Sequence, residues 1–172
     1  MQTGLQSRIY LAGPFFSDGQ NERLATVKAV LDQNPTVGYV FEPAKHQQDA
    51  IVAEFGNGSL VEAMKTPQWQ IATYHADIQA INQADAVVAM LDFDVEGGNP
   101  RPDEGTMFEI GYAIANHKPV IIVQFTQDDE PLNLMLAQAY TAFFWGQADI
   151  ANNLSQYDFI NLPKKLVAKP VI

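Results

Sequence analysis

The chain has 172 residues, no cysteine and a formal net charge of -10 at pH 7, with 20 acidic and only 10 basic residues. The lack of cysteine excludes disulfides, thiolate metal sites and cysteine nucleophiles, and the scarcity of cations argues against nucleic acid as a partner, because Lys and Arg bind phosphates. The length fits one domain, residues 1–172, and an apolar share of 47% beside a charged share of 17% favours a homo-oligomer, in which part of the surface is buried.

Strands and helices alternate along the sequence. In chain order it predicts a strand at 8–13, a helix at 18–31 capped by Ser17 or Asp18, a strand at 38–43, a long irregular segment at 45–65, a helix at 67–82 and a strand at 85–91. A loop at 92–102, a crossover helix that contains Glu109, a strand at 118–124, a helix at 132–139 and a strand at 140–144 follow. This order predicts an α/β fold with a single doubly wound domain, flavodoxin- or Rossmann-like, around a mostly parallel sheet of about five strands.

No segment indicates export or a membrane partner. The first eight residues lack the apolar core of a signal peptide, and no run approaches the roughly 18 apolar residues of a membrane-spanning helix. We therefore expect a cytoplasmic protein.

In a doubly wound sheet, ligands bind outside the carboxyl ends of the strands. The segments that follow the first four predicted strands are 13–16, 43–48, 92–104 and 125–133. Together these segments contain several acidic residues and several aromatic residues. Such an edge disfavours a phosphate and favours a neutral ligand that carries a ring.

The motif at 102–113, Pro-Asp-Glu-Gly-Thr-Met-Phe-Glu-Ile-Gly-Tyr-Ala, places carboxylates in and before the crossover helix. Asp103 and Glu104 suit a helix start, where capping and the helix dipole favour acidic residues. Glu109 lies one to two turns further on, between Phe108 and Ile110, so we expect a partly apolar environment for it. A carboxylate in a cleft at this edge can act as a nucleophile or bind substrate hydroxyls.

The turn at 13–16, Gly-Pro-Phe-Phe, occupies the position where a nucleotide-binding protein would have a glycine-rich phosphate loop. Pro14 has no backbone donor, so a dinucleotide is not expected. Phe15 either stacks on a planar base or packs in the core, and both remain open. For Phe16 we expect a position in the core.

Asp77 is predicted to face inward from the helix at 67–82, and a buried Asp is uncommon unless it is paired or functional. The three histidines lack ligand spacing, so no metal site is expected, and no Gly-x-Ser-x-Gly nucleophile motif is present. The remaining candidates are Asp77, Asp103 and Glu109. Cleavage of a C–N glycosidic bond with retention needs a carboxylate nucleophile and an acid for the leaving base, which two such groups supply.

From Ile9 to about Gln138 the sequence resembles the nucleoside 2-deoxyribosyltransferase family. The resemblance rests on four motifs in order, at 9–20, 72–77, 103–113 and 132–135. It implies transfer of 2-deoxyribose between nucleobases by a retaining ping-pong mechanism through a covalent deoxyribosyl-glutamate, without a cofactor. It also implies 2'-deoxynucleosides and free nucleobases as substrates, a role in nucleotide salvage and a homohexamer built as a trimer of dimers. The first motif resembles the purine-restricted class somewhat more, while purine-only and broad specificity both stay open.

The resemblance assigns catalytic roles to three residues. Glu109 matches the nucleophile, Tyr10 matches the hydroxyl that orients it, and Asp77 matches the acid that protonates the leaving base.

It also assigns substrate contacts. Asp103 matches a ligand of the sugar hydroxyls, and Phe15 and Gln47 match contacts to the base. Asn133 matches a sugar-binding residue that the family supplies from the neighbouring subunit, and Met135 belongs to the same motif.

Two departures from the family and two alternative functions accompany these expectations. Many members end in an aromatic tail that closes the site, whereas this sequence ends in Lys-Pro-Val-Ile, and its loop at 96–102 is longer than in the shortest relatives. A hydrolase of deoxynucleoside 5'-monophosphates would need a phosphate cradle of Ser, Gly and Arg where this chain has Pro14 to Phe16. A nucleoside-binding protein without turnover would have no need of Glu109.

Overall fold

A parallel sheet of five strands forms the centre of the computed structural model, which describes residues 5–94, 99–128 and 130–172. The strands are β1 (Ser7–Ala12), β2 (Val37–Phe41), β3 (Ala86–Met90), a short hairpin of β4 (Phe93–Asp94) and β5 (Asn99–Pro102), β6 (Val120–Gln124) and β7 (Ala142–Trp145). The sheet order is β2-β1-β3-β6-β7, all parallel, and β4 pairs with β5 outside the sheet.

The helices are α1 (Asp18–Asp32), α2 (Asp49–Phe55), α3 (Leu60–Ala63), α4 (Pro67–Gln83), α5 (Glu104–Ala115), α6 (Leu134–Ala139) and α7 (Gln147–Asn153). Single 3-10 turns span Pro43–Lys45 and Leu154–Gln156. Among the described residues, no helix is long and apolar enough to cross a membrane.

Apolar residues cover the sheet on both faces. One core joins the sheet to α1 and α7 through Val27, Leu31 and Ile150, and the other joins it to α4 and α5. Every residue of β3 and of β6 is buried, as expected for central parallel strands that have helices on both sides. The predicted doubly wound α/β fold is confirmed.

The strand order changes direction at β1. β2 lies on one side of β1, and the later strands all lie on the other side. In such sheets the crevice at this switch point is the usual ligand site. The turn after β1 and the start of α5 both lie at this edge.

Three parts of the sequence prediction were wrong. The segment 45–65, expected to be irregular, contains α2 and α3, which bury little side-chain surface and so leave no clear periodicity. The loop expected at 92–102 contains the hairpin β4–β5, and residues 95–98 of that prediction lie outside the described residues. Helix α7, which has one buried residue, Ile150, was not predicted.

The residues after α7 pack back onto the beginning of the chain. The Ser7 hydroxyl donates to the carbonyl of Phe159 at 2.8 Å, and the buried Asn34 amide donates to the carbonyls of Leu154 and Tyr157 at 3.0 and 2.8 Å. Phe159 itself is in the core on the α1 face. Residues 154–159 thereby hold β1 and the turn before β2 in place, although they lie more than a hundred residues later in the chain.

Candidate active site

Tyr10 and Glu109 meet at the switch point. Tyr10 lies in the middle of β1 and is fully buried, and its hydroxyl donates a hydrogen bond to Oε1 of Glu109 on α5. The Tyr10 ring stacks on Phe41, at the end of β2, with a centroid distance of 5.6 Å. The ring therefore has one orientation, and the phenol holds the Glu109 carboxylate against the sheet.

Asp103 fixes the start of the helix that carries Glu109. Its Oδ2 accepts from the Thr106 backbone N–H at 2.7 Å and from the Thr106 hydroxyl at 2.8 Å, so it is the N-cap of α5. An Asp in this position satisfies a backbone donor that the helix leaves unpaired. Glu104, expected at the helix start, is the first residue of α5.

The third carboxylate is Asp77, on α4. Burial raises its pKa from 3.8 to about 6, although the nearby His46 partly opposes this. Asp77 interacts electrostatically with both Tyr10 and Glu109. α4 and α5 thus bring their carboxylates to one place from helices adjacent on the same face of the sheet.

Burial raises the pKa of Glu109 from 4.5 to about 7, the Tyr10 hydrogen bond lowers it, and the charges of Asp77 and Asp103 raise it. Burial and the negative charge of Glu109 and Asp77 raise the pKa of the Tyr10 phenol, which therefore stays a proton donor. A negative charge on Asp77 disfavours ionisation of Glu109, because like charges raise the pKa of a carboxyl group. With pKa values of about 7 and about 6, Glu109 and Asp77 can each gain or lose a proton near neutral pH.

The turn after β1 carries two aromatic rings, Phe15 and Phe16. A Cβ on Gly13 would lie 2.8 Å from Leu24 Cδ2 and 3.1 Å from Met90 Cβ, so any other residue there would require these side chains to shift. Phe15 is partly exposed and stacks on Phe16 with centroids 5.1 Å apart. The core position expected for Phe16 was wrong: 70% of its surface is exposed, because the turn directs it away from both cores.

Gln47 lies in the segment after β2. Its side-chain amide donates to the carbonyl of Pro43 at 2.8 Å, and its own carbonyl accepts from the Trp69 indole at 2.9 Å. The segment is thereby attached to the beginning of α4, about two helical turns before Asp77.

Two site residues were not identified from the sequence. His46 stacks on Phe41 with centroids 4.1 Å apart, and its Nδ1 lies 2.8 Å from the carbonyl of Glu42, which can only accept. Rings of Tyr10, Phe41 and His46 therefore form one continuous stack. Phe41 is the last residue of β2 and His46 follows it, and this position at the carboxyl edge of the sheet is the sequence signal that indicates them.

Asn133 and Met135 lie elsewhere on the chain. Asn133 is the N-cap of α6, where its Oδ1 accepts from the Met135 N–H at 2.9 Å, and Met135 is 76% exposed. Asn133 borders a cavity of about 480 Å³ together with Leu91 and Pro102. Within the described parts of the chain, neither residue has a hydrogen bond to Tyr10, Asp77 or Glu109.

An ion pair lies at the same edge. Nε and Nη2 of Arg23, on α1, are 2.9 and 2.6 Å from Oδ2 of the buried Asp92, which follows β3. The Arg23 guanidinium is thus paired with the Asp92 carboxylate. In the described ranges, no group of three or more His, Cys, Asp or Glu side chains is arranged to hold a metal ion.

The chain matches the family model of the nucleoside 2-deoxyribosyltransferases over residues 9–140. A nucleoside deoxyribosyltransferase from Limosilactobacillus fermentum is 36% identical over 157 residues, which cover 89% of this chain and 86% of that protein. A Thermofilum pendens protein, provisionally named 2'-deoxynucleoside 5'-phosphate N-hydrolase 1, is 30% identical over 129 residues, 75% of this chain and 76% of that one.

Among solved structures, the chain is similar to the 2-deoxyribosyltransferase from the psychrotolerant bacterium Bacillus psychrosaccharolyticus. The TM-score is 0.69 and the sequence identity 28%, and the match covers 94% of this chain and 99% of that one. The likeness thus extends over nearly the whole of both folds. With the family match over most of its length, the chain belongs to the nucleoside 2-deoxyribosyltransferase family and is a nucleoside deoxyribosyltransferase.

Proposed function

We propose that the enzyme moves 2-deoxyribose from one nucleobase to another by a retaining ping-pong mechanism through a covalent deoxyribosyl-Glu109. The observation that carries the proposal is the half-buried Glu109 carboxylate, which accepts a hydrogen bond from the Tyr10 phenol at the switch point and interacts electrostatically with a second, protonatable carboxyl, Asp77. A nucleophile and an acid are the two groups that the reaction requires.

In the first half-reaction the ionised Glu109 attacks C1' from the face opposite the base. The C1'–O bond forms as the C1'–N bond breaks, its electron pair goes to the base nitrogen, and Asp77 gives its proton to the leaving base. In the second half-reaction an incoming base attacks C1', Glu109 leaves as a carboxylate, and Asp77 takes back a proton. The two inversions give overall retention.

The phenol of Tyr10 orients Glu109 and favours its ionised form, since a hydrogen bond donated to a carboxylate stabilises the charge. Asp103 has one oxygen, Oδ2, engaged in the helix cap, and we assign its carboxylate to a sugar hydroxyl. Phe15 and Gln47 border the same edge and are assigned to the base.

Asn133 and Met135 are assigned to the site of a neighbouring subunit, because both are exposed and, among the described residues, neither is hydrogen-bonded to Tyr10, Asp77 or Glu109. A homohexamer, arranged as a trimer of dimers, would supply them. In support, α3 to α5 carry a row of exposed apolar side chains: Val61, Met64, Ile71, Tyr74 and Phe108. A monomer would leave this surface in water.

We place the reaction in cytoplasmic nucleotide salvage, with purine deoxynucleosides as the first substrates to examine. The absence of cysteine suits a reducing compartment, and the first sequence motif resembles the purine-restricted class. Purine and pyrimidine acceptors compared side by side would decide the range: deoxycytidine formed as readily as deoxyadenosine would show broad specificity.

The Thermofilum pendens relative makes hydrolysis of deoxynucleoside 5'-monophosphates the second candidate. Phosphate binding needs backbone donors or an available cation. At this edge Pro14 has no N–H, and Arg23 is paired with Asp92. Both observations favour an unphosphorylated nucleoside.

The direct test incubates the protein with deoxyinosine and free adenine. Deoxyadenosine is the expected product, since the glycosyl-enzyme passes its sugar to the acceptor base. Glu109→Gln should abolish this transfer with the fold retained, because the described site holds no substitute nucleophile. Free deoxyribose alone would indicate a hydrolase, no change would indicate a binding protein, and a trapped sugar on a peptide without Glu109 would refute the assignment.

Asp77→Asn tests the acid. Cleavage of natural nucleosides should slow by roughly 10²-fold or more, the range for loss of a general acid. Nucleosides whose leaving group needs no proton should be affected much less, as single-turnover rates would reveal. Equal losses on both substrates would remove Asp77 from this role.

A further inference from the structure

Lys169 is almost fully buried outside the site described above. Only 4% of its side chain is exposed, its Nζ lies 2.7 Å from Asp128 Oδ1, and the ammonium lies 4.7 Å from the centre of the Trp145 ring. Lysines are rarely buried unless they are paired. Because burying a charge pair gains little net stability over an apolar pair of similar size, stability alone does not account for this arrangement.

The partner of Lys169 fixes the first half of the connection between β6 and α6. Asp128 Oδ2 accepts from the side-chain amide of Gln124, which is buried at the end of β6, at 3.0 Å. Its Oδ1 also accepts from the Glu130 N–H at 3.2 Å. One carboxylate therefore links the strand end, the connection and Lys169.

The residues after Lys169 hold the second half of the same connection. Leu132 N–H donates to the Pro170 carbonyl at 2.8 Å, Ile172 N–H donates to the Leu132 carbonyl at 3.1 Å, and Leu134 N–H donates to the Ile172 carbonyl at 2.8 Å. We refer to residues 169–172 as the strap. Its bonds lie on both sides of Asn133.

This pairing decides which way the connection faces. Leu132 is buried under the strap while Asn133 is exposed, as expected where successive side chains of an extended backbone alternate. Asn133 then begins α6 as its N-cap. The strap therefore sets both the outward direction of Asn133 and the start of the helix that carries Met135.

We propose that Lys169 is a positioning residue for catalysis: through Asp128 and the strap, it holds Asn133 in the orientation in which it binds the sugar in a neighbouring subunit's site. The inference rests on the proposed function. Residues 169–172 thus act on the site through the Asn133 connection.

The test compares Lys169→Met with Lys164→Met, in which an exposed lysine is replaced. For Lys169→Met, kcat/KM for transfer from deoxyinosine to adenine should fall by roughly 10- to 100-fold, the range for a misplaced binding group. The loss should lie mainly in KM, because Asn133 binds the sugar in the ground state as well as in the transition state. Lys164→Met should behave as the wild type.

Lys169→Met alone leaves the Asp128 carboxylate without its partner and can destabilise the fold. A double variant, Asp128→Leu with Lys169→Met, replaces the ion pair with an apolar pair and avoids this unpaired charge. Its KM should be raised in the same way while its Tm stays close to that of the wild type. Wild-type KM and kcat in a folded Lys169 variant would overturn the proposal. Absence of transfer in the wild type would instead count against the proposed function.

Mixed oligomers give a readout that a general loss of stability would not. Co-expressed Lys169→Met and Glu109→Gln subunits, purified through two different tags, should form sites with an intact Glu109 from one subunit and an intact strap from the other. Wild-type KM should return in these sites. Replacing the second partner with Glu109→Gln/Asn133→Ala should prevent the recovery, and equal recovery with both partners would refute a role through Asn133.

Discussion

Two opposed effects act on the pKa of Glu109: burial raises it, and the hydrogen bond from Tyr10 lowers it. Burial favours the protonated form of Glu109, and the phenol favours the ionised form that a nucleophile needs. With a pKa of about 7, Glu109 is close to the point where both forms are populated at physiological pH. Small changes around it should therefore appear directly in the pH dependence of activity.

Tyr10→Phe removes the donor and should raise the pKa of Glu109 further. Less nucleophile is then ionised at pH 6 than in the wild type, so kcat/KM should fall most at low pH and recover as the pH rises. A hydrogen bond to a charged group corresponds to a shift of the acid limb by about one pH unit. Initial rates from pH 5 to 9 measure it.

Tyr112→Phe is the matched control, since that hydroxyl bonds to Asn82 on the far part of the same helix pair at 3.0 Å. Its profile should match the wild type. A Tyr10→Phe profile lowered by the same factor at every pH would mean that the phenol orients Glu109 without affecting its ionisation.

Asp103 caps helix α5 and is also assigned to a sugar hydroxyl, and different substitutions separate these two roles. Asp103→Ala removes both the cap and the carboxylate, and should lower the free energy of unfolding by about 1 kcal/mol together with the loss of transfer. Asp103→Ser keeps a capping oxygen, so its unfolding in urea should match the wild type closely, while transfer is still lost. Normal transfer by Asp103→Ser would mean that Asp103 acts only as a helix cap and does not bind the sugar.

The sequence predicted the elements that bury apolar side chains in a regular pattern. Strands β3 and β6 read as continuous apolar runs because helices cover both faces of the sheet, and α1 and α4 have clear caps in Ser17 and Thr66. α2, α3 and α7 were missed because each buries at most one residue.

The carboxylates were predictable because an acidic residue between apolar neighbours, as at Glu109, is itself unusual. The stack of Phe41 and His46 was not, since it depends on how the segment after β2 folds back. Nor was the strap, because its pairing with Leu132 joins segments far apart in the chain and has no local signal.

Helices α3, α4 and α5 carry exposed apolar side chains that a second copy of the chain can cover. Wild-type protein at micromolar concentration should sediment as a hexamer. Ile71→Glu should shift it to smaller species, because Ile71 is 57% exposed and a charge there opposes burial in an interface without disturbing the core. Transfer should decline with dissociation, since Asn133 would no longer reach a neighbouring site.

Gln147→Glu adds a charge at an exposed position of α7, on the opposite face of the sheet from α4, and is the control for charge alone. Its sedimentation coefficient should match that of the wild type. Full activity in a stable wild-type monomer would contradict both the hexamer and the assignment of Asn133 to a neighbouring site.

The bonds from Ser7 and Asn34 to residues 154–159 also bear on biosynthesis. The ribosome makes β1, α1 and β2 first, yet the α1 face of the sheet is completed only by Leu154, Tyr157 and Phe159. At roughly 5–20 residues per second, the apolar residues of α1 wait on the order of ten seconds for this cover. During each round of translation, the apolar residues of the α1 face therefore stay uncovered until residues 154–159 have been made and can pack on them.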